Sequence, residues 1–224
     1  LGDVYKRQEA GRDPADIILV GASKMNDAAA CREAVAAGID ALGENRVQEM
    51  VQKLEQHAYD GAPLHFIGHL QRNKVNQVVG HVALIQSVGS LELLEEIEKT
   101  AGRQDLVQDL LLEVNIGGEA SKSGISPEEL SALAAQAVGS PHVRLRGLMA
   151  IPPVAAGPDG NRPFFAKMRQ LYVDIRSQMD DNKTSFDCLS MGMSGDFEDA
   201  VREGATLVRV GTALFGPRPP MHKG

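Results

Sequence analysis

The sequence predicts an α/β fold, a (β/α)8 TIM barrel made of a single domain. Short apolar runs rich in branched residues recur eight times along the 224 residues, and amphipathic helical stretches stand between them. Strict alternation of strands and helices favours parallel strands joined by right-handed crossovers, and eight strands is the number in the barrel. No strand is followed by the G-x-G-x-x-G pattern of many doubly wound sheets. A doubly wound open sheet nevertheless stays the alternative fold.

The predicted elements follow from apolar density for the strands and from amphipathic spacing for the helices. In chain order, the predicted strands are Ile17–Ser23, Ile39–Gly43, Leu64–His69, Ala83–Ser87, Leu110–Ile116, Leu145–Ile151, Phe186–Met191 and Leu207–Gly211. The predicted helices are Asp27–Ala37, Glu44–His57, Arg72–Val79, Leu91–Ala101, Pro127–Val138, Pro163–Met179 and Asp196–Glu203.

Two of the helices carry recognisable end signals. The stretch Asp27–Ala37 is rich in alanine and stops at Gly38, a residue type that commonly caps the C-terminus of a helix. The stretch Pro127–Val138 follows Ser126, a predicted N-cap, with a proline at the first helical position and Glu129 completing a capping box.

Both ends of the chain are predicted to lie outside the barrel domain. Residues 1–8, "LGDVYKRQ", show no helical or strand periodicity and resemble the translation of a sequencing adapter, so we treat them as a non-native leader. The domain is assigned to residues 9–218 and the tail to residues 219–224. The sequence predicts eight strands but only seven helices, one fewer than a complete (β/α)8 barrel has. We therefore expect the barrel to lack its N-terminal helix, which would stand where the leader now is.

Composition argues against several classes of function. The formal net charge is −7 and the isoelectric point is about 5.4, whereas nucleic-acid-binding domains usually carry a basic surface. No run of about 18 apolar residues predicts a membrane span, and no apolar segment near the start indicates a signal peptide. The two cysteines, Cys31 and Cys188, do not suggest a disulfide scaffold. We therefore expect a reduced, cytoplasmic protein that binds neither nucleic acid nor membranes.

Polar residues gather at the ends of the predicted strands, where a barrel places its active site. Lys24 follows the first strand, and the segments "MGMSGD" (191–196) and "RVGT" (209–212) follow the seventh and eighth. Loops after those two strands frequently build a phosphate site in this fold. Glycines let the backbone approach an anion, and Ser194 and Thr212 add hydroxyl donors. The sequence thus predicts a phosphate cradle across the barrel mouth from a lysine.

This combination suits pyridoxal 5′-phosphate, which needs a lysine for its aldehyde and an anchor for its phosphate. Arg209 lies next to the cradle, where it would either face the pyridine nitrogen or pair with a carboxylate inside the barrel.

His65 and His69 are four residues apart on a predicted strand, about 13 Å, which is too far to share a metal ion. No metal site is predicted.

Seven segments, in order along the chain, resemble one known family: "GASKMN" (21–26), "LGENRVQE" (42–49), "HFIGHLQRNK" (65–74), "LLEVNIGGEASKSGI" (111–125), "RGLMAI" (146–151), "LSMGMSGDFEDAV" (189–201) and "VRVGTALFG" (208–216). The family is that of the pyridoxal phosphate homeostasis proteins, also called YggS/PROSC-like, which is related to the barrel domain of alanine racemase. The resemblance covers Glu9–Arg218 and implies a type III pyridoxal-phosphate-binding barrel.

The resemblance also implies roles for individual residues. Lys24 matches the lysine that forms the internal aldimine, Arg209 the arginine that faces the pyridine nitrogen, and Asn45 a residue that lines the ring pocket. Lys122 matches a second lysine implicated in cofactor handling. The phosphate-binding segments are matched by Ser190, Ser194, Gly195, Gly211 and Thr212. Apart from the resemblance, we predict that Met191 and Met193 serve as pocket wall and packing.

We therefore predict a monomeric, non-enzymatic protein of pyridoxal phosphate homeostasis, which sequesters the cofactor and supplies it to apo-enzymes. The alternative is a pyridoxal-phosphate-dependent amino-acid racemase. By the resemblance to alanine racemase, that reaction needs a second acid–base group, which there is a tyrosine from an additional domain. Tyr5, Tyr59 and Tyr172 of this chain lie instead in the leader or in helical stretches. A barrel that binds a phosphosugar or a nucleotide is a third hypothesis, and it leaves Lys24 unexplained.

Overall fold

Eight parallel strands close a barrel in the computed structural model, which describes residues 13–119, 122–153, 160–179 and 186–216. The strands are β1 (Ile18–Ala22), β2 (Ala41–Glu44), β3 (Leu64–Phe66), β4 (Leu84–Val88), β5 (Gln108–Glu113), β6 (Val143–Met149), β7 (Cys188–Met193) and β8 (Leu207–Val210). Neighbours pair in chain order, and Val20 of β1 stands in register with Ala41 of β2 and with Arg209 of β8. The predicted barrel is confirmed. The open-sheet alternative is wrong, because β1 and β8 pair with each other.

Helices alternate with the strands on the outside of the barrel. They are α1 (Ala28–Ala36), α2 (Val47–Glu55), α3 (Leu91–Arg103), α4 (Leu130–Gly139), α5 (Arg162–Ser177), α6 (Phe197–Arg202) and α7 (Thr212–Phe215), with 3₁₀ helices at Pro14–Asp16 and Arg72–Gln77. All seven predicted helical stretches are present, although the third is the 3₁₀ helix Arg72–Gln77. The short helix α7 was not predicted from the sequence.

The predicted helix ends are confirmed in one case and shifted in the other. Gly38 has a φ of +83°, and its N–H donates to the carbonyl of Val35 at 2.9 Å, which closes the C-terminus of α1. Ser126 Oγ accepts the N–H of Glu129 at 3.4 Å, which is one of the two bonds of a capping box, and donates to Glu129 Oε2 at 2.6 Å. They close a turn before α4, however, so the helix begins only at Leu130.

Alternate residues of each strand face the barrel interior and the surrounding helices. The interior holds one apolar layer, Val20, Ala41, Leu84, Leu111, Met149, Cys188 and Leu207. The outer faces, for example at Leu110 and Leu112, pack with the helices into a larger buried cluster. Such burial is the main source of stability, at about 25 cal/mol per Å² of apolar surface. Lys24 lies two residues beyond the end of β1, in the turn at the carboxyl end of the barrel.

Several predictions concern residues outside the described ranges. The leader, the two ends of the domain, the expected lack of an N-terminal helix and the tail all concern residues outside these ranges, so they stay predictions. Cys31 lies in α1 and Cys188 in β7, both as buried free thiols. Within the described ranges, no helix combines the length and the apolar character needed to cross a membrane.

Candidate functional site

A pocket at the barrel mouth joins the tip of β1 to the loop after β8. It is lined by Ala22, Lys24, Met25, Asn26, Gly211, Thr212, Phe215 and Gly216. The side chain of Lys24 is half-buried. The structure therefore brings a primary amine into the same cavity as the start of α7, where Gly211 and Thr212 lie.

Ser194 ties the loop after β7 to the loop after β8. Its Oγ accepts hydrogen bonds from the N–H groups of Gly211, at 3.2 Å, and Ala213, at 3.5 Å. A serine hydroxyl that accepts these bonds keeps its own hydrogen for donation. Gly195 and Thr212 are exposed beside it. The two loops thus form one surface on which the hydroxyls of Ser194 and Thr212 are available as donors, which suits an anion.

Asp196 fixes the shape of the β7 loop. Its Oδ1 accepts the N–H of Met193 at 2.7 Å, and its Oδ2 accepts Nδ2 of Asn161 at 2.6 Å. Asn161 precedes α5 and is buried. The loop that carries Ser194 is therefore held from two sides before any ligand arrives.

A chain of buried hydrogen bonds crosses the barrel between the apolar layer and the mouth. The Nη1 of Arg209 donates to Ser190 Oγ, and its Nη2 donates to the carbonyl of Ala150 at 2.8 Å. Ser190 Oγ donates to Gln86 Oε1 at 2.6 Å. Gln86 Nε2 then donates to His65 Nδ1 at 3.0 Å. The Gln86 amide oxygen can only accept and its nitrogen can only donate, so Ser190 donates, His65 Nδ1 accepts, and the proton of the neutral imidazole is on Nε2.

Burial sets the charge states of this interior. It lowers the pKa of the His65 imidazole to about 4, so the ring is neutral at neutral pH. Burial also lowers the pKa of Arg209 to about 10, although the negative charges of Glu113 and Asp196 act to raise it. The guanidinium is therefore still protonated at neutral pH. The pKa of Glu113 is raised by burial, although a hydrogen bond from Ser123 at 2.7 Å opposes the shift. The barrel interior therefore keeps a permanent positive charge below the mouth.

Two of the predicted cofactor residues are placed away from the Lys24 pocket. The hydroxyl of Ser190 is fully buried and already bonded to Arg209 and Gln86, so it holds the arginine. Met191 lies on the outer face of β7, and its side chain packs between the barrel and the helices. The alternation along β7 explains both positions, since neighbouring residues face opposite sides of the strand.

Three buried polar atoms of uncharged side chains near the ends of β2, β4 and β5 have no hydrogen-bond partner. They are Asn45 Oδ1, Ser87 Oγ and Asn115 Oδ1. Buried polar groups are normally hydrogen-bonded, so these atoms fit a polar ligand at the carboxyl end of the barrel. Asn45 is the residue that the sequence predicted for the ring pocket.

Lys122 lies in the loop after β5 and ties that loop to its neighbour. Its Nζ donates to the carbonyl of Pro152, beyond β6, at 3.0 Å and pairs with Glu119 Oε2 at 2.6 Å. Lys122 does not line the pocket that contains Lys24. The structure thus leaves the two predicted lysines in separate parts of the barrel mouth.

The sequence reasoning missed Gln86 and gave His65 no role. The available signal was a glutamine inside the apolar run "ALIQSV" (83–88). The pairing of β4 with β5 shifts by one residue between Ile85 and Val88, which pair with the outward-facing Leu110 and Leu112. Gln86 lies between them and faces the barrel interior.

Among the residues that the structure describes, no group of three or more His, Cys, Asp or Glu is arranged to hold a metal ion.

Comparisons of the sequence with known proteins identify its relatives. The alanine racemase, N-terminal domain family matches residues 20–219. The pyridoxal phosphate homeostasis protein of Aquifex aeolicus is 44% identical over 211 residues, which covers 94% of this chain and 91% of the relative. The protein of the same name from Pseudomonas aeruginosa is 45% identical over 213 residues, covering 94% and 89%.

Solved structures show the same fold. The structure of PipY from Synechococcus elongatus was determined with pyridoxal phosphate bound. It superimposes with a TM-score of 0.82 at 35% sequence identity, and the match covers 95% of this chain and 100% of PipY. Alanine racemase of Clostridium difficile has a TM-score of 0.75 and 16% identity, covering 97% of this chain and 56% of the racemase. At 16% sequence identity, this similarity shows only that the two proteins have the same fold.

Proposed function

The chain belongs to the family of pyridoxal phosphate homeostasis proteins, and we propose that it binds pyridoxal 5′-phosphate through Lys24, sequesters it and supplies it to apo-enzymes. The observation that carries this proposal is the pocket shared by Lys24, Gly211 and Thr212. When bound, the cofactor supplies an aldehyde, which condenses with a primary amine with loss of one water, and a phosphate dianion. Lys24 and two of the residues proposed for the phosphate, Gly211 and Thr212, line one cavity, which supports binding of both ends of the molecule there.

The phosphate end is assigned to the joined loops after β7 and β8. Ser194 and Thr212 would donate their hydroxyl hydrogens, and Gly195 and Gly211 leave room for the anion to approach the backbone. Charge-assisted hydrogen bonds of this kind are stronger than neutral ones. The hydrogen bonds from Gly211 and Ala213 to Ser194 Oγ hold the two loops together, so little ordering is needed on binding.

The ring end is assigned to Arg209 and Asn45. The guanidinium has five N–H donors, and Ser190 and Ala150 engage two of its nitrogens, which leaves donors for the pyridine nitrogen. The unpartnered Oδ1 of Asn45 is suited to a polar substituent of the ring. Ser190 acts through Arg209, and Lys122 serves cofactor handling from the rim of the mouth.

A carrier fits the tyrosines better than a racemase does. Tyr59 donates its hydroxyl to Glu44 at 3.1 Å, and Tyr172 donates to the carbonyl of Phe186 at 3.0 Å. Both are buried outside the barrel interior, so in the described part of the chain no tyrosine reaches the mouth. Burial raises the pKa of the Cys188 thiol to about 12, which makes it a poor proton carrier. We therefore propose a monomeric, non-catalytic protein of the cytoplasm.

Amino-acid racemisation and cofactor transfer separate the two classes. With saturating pyridoxal phosphate, we expect no turnover of alanine or of a panel of other amino acids, because in the described part of the chain no tyrosine or cysteine lies at the barrel mouth to act opposite Lys24. The loaded protein, mixed with an apo-enzyme that depends on this cofactor, should restore that enzyme's activity. Chiral chromatography and a coupled activity assay measure the two outcomes.

A trap for free pyridoxal phosphate is the control for transfer, since it removes cofactor that is merely released. Restoration that persists with the trap indicates direct handover. A kcat in the usual enzyme range of about 1–10³ s⁻¹ on any amino acid would instead establish a racemase.

The phosphate assignment predicts a loss of affinity without a loss of covalent chemistry. Ser194→Ala and Thr212→Val should each weaken cofactor binding by about 1–3 kcal/mol, the scale of a lost charge-assisted hydrogen bond. At saturating cofactor both variants should still show the visible absorbance band of the loaded protein. Ser131→Ala, at an exposed position on α4, is the matched control. Affinities of both variants equal to that of the control would show that the phosphate lies elsewhere.

A further inference from the structure

The two peptide groups that flank Lys24 are both held by side chains of α2. Lys53 Nζ donates to the carbonyl of Ser23 at 2.9 Å. Glu49 Oε2 accepts the N–H of Met25 at 3.0 Å. Glu49 and Lys53 are four residues apart, so they project from the same side of the helix, and their charged groups are 4.0 Å apart.

The lysine of α2 is itself locked in place by a buried carboxylate. Lys53 and Glu44 form an ion pair at 2.5 Å, with the glutamate fully buried and the lysine 6% exposed. Ser23 Oγ and the hydroxyl of Tyr59 donate to the same Glu44 oxygen, at 2.6 and 3.1 Å. A buried ion pair contributes little net stability compared with apolar residues of the same size. Its placement therefore points to a positional role.

The backbone after Lys24 needs such support. Met25 has a φ of +64°, the left-handed region that a side chain with a Cβ disfavours. Residues in such conformations persist only where the surroundings hold them, and they cluster at functional sites. The carboxylate of Glu49 binds the N–H of this residue directly, and Asn26 Nδ2 donates to the carbonyl of Lys24 at 3.3 Å.

We propose that Glu49 and Lys53 are positioning residues, which hold the Ser23–Met25 turn so that the amine of Lys24 points into the pocket. Both charged groups bind the backbone on either side of Lys24, and Lys53 also binds the buried Glu44, so their role is to hold the chain and not to bind the cofactor. The inference rests on the proposed function, in which Lys24 is the attachment point. The inference adds that helix α2, which packs on the outside of the barrel, sets the orientation of the Lys24 amine.

The test separates positioning of the amine from formation of the pocket. The first measurement is the rate at which the visible band appears at saturating pyridoxal phosphate. The second is the affinity for pyridoxine 5′-phosphate, which has no aldehyde and cannot bond to Lys24. Glu49→Ala removes the acceptor, Glu49→Gln keeps an oxygen acceptor, and Glu55→Ala, exposed on the same helix, is the control.

We expect Glu49→Ala to slow band formation by about tenfold to a hundredfold, since a small misplacement of a reacting group has effects of this size. Glu49→Gln should recover most of the rate, and Glu55→Ala should match the wild type. The affinity for pyridoxine 5′-phosphate should stay nearly unchanged in all of them. Band formation in Glu49→Ala at the wild-type rate would overturn the inference. So would parallel losses of rate, analogue affinity and melting temperature, which indicate a structural role only.

Lys53 is tested in a variant that leaves no unpaired buried charge. The double variant Glu44→Gln, Lys53→Met removes both charges together, so it should fold with a melting temperature near that of the wild type. It should form the band slowly and bind pyridoxine 5′-phosphate normally, and a wild-type rate would exclude Lys53 from the positioning role. A wild-type protein that forms no band at all contradicts the proposed function itself, an outcome distinct from all of these.

Discussion

Lys24→Ala is expected to abolish the visible absorbance band of the protein loaded with pyridoxal phosphate. The band requires a covalent bond between the aldehyde and an amine, and Lys24 is the lysine that lines the pocket. The donors of Ser194 and Thr212 remain in this variant, so weak, reversible binding of the cofactor should persist. Absorbance spectra and equilibrium dialysis measure the two effects on the same sample.

Lys122→Ala is the matched control, because it removes the other lysine assigned to the cofactor and leaves the pocket intact. The band should survive in this variant. An unchanged band in Lys24→Ala would exclude Lys24 as the attachment point, and loss of the band in Lys122→Ala alone would place the attachment in the loop after β5.

Acid is expected to destabilise the fold through His65. Burial lowers the pKa of this imidazole from 6.5 to about 4, so the unfolded chain binds a proton in this interval that the folded protein does not. Stability is therefore full above pH 6.5 and falls as the pH decreases towards about 4. The loss should reach about 3 kcal/mol, at about 1.4 kcal/mol per pKa unit. Urea unfolding across this pH range measures it.

His65→Asn isolates this contribution, because asparagine can still accept the hydrogen bond from Gln86 but does not titrate. Its free energy of unfolding should vary less with pH than that of the wild type. Glu113 acts in the opposite direction, since burial raises its pKa, and it is common to both proteins. His81→Gln, at an exposed position, should keep the wild-type dependence. Equal pH dependence in the wild type and His65→Asn would show that His65 does not titrate on unfolding.

The fold was predictable because its signals are local. Each strand is a short apolar run, and each run is separated from the next by a helix or a turn that can be recognised alone. The helix α7 was missed for the same reason, since the four residues Thr212–Phe215 are too few to show amphipathic spacing. The start of α4 was placed too early because Ser126 and Glu129 also suit a turn.

The candidate site was predictable only in part. Lys24, Ser194 and Thr212 stand at strand ends, and a barrel brings all strand ends to one mouth. The contacts that support them depend on which face of a strand or helix each residue occupies in the closed barrel. The inward Gln86 follows from an irregular register in β4, and Lys53 looked like an ordinary surface lysine of α2. A glutamine inside the apolar run 83–88 is a local signal, but neither the inward direction of Gln86 nor the burial of Lys53 can be predicted from the sequence around it.

The most direct test of the account is the site of covalent attachment. Borohydride reduces the carbon–nitrogen double bond between an aldehyde and a lysine to a stable single bond, which survives digestion with a protease. Peptide mass spectrometry of the loaded, reduced protein should find the phosphopyridoxyl group on the peptide that contains Lys24. A label on Lys122 or on any other lysine, with Lys24 unmodified, would contradict the central claim.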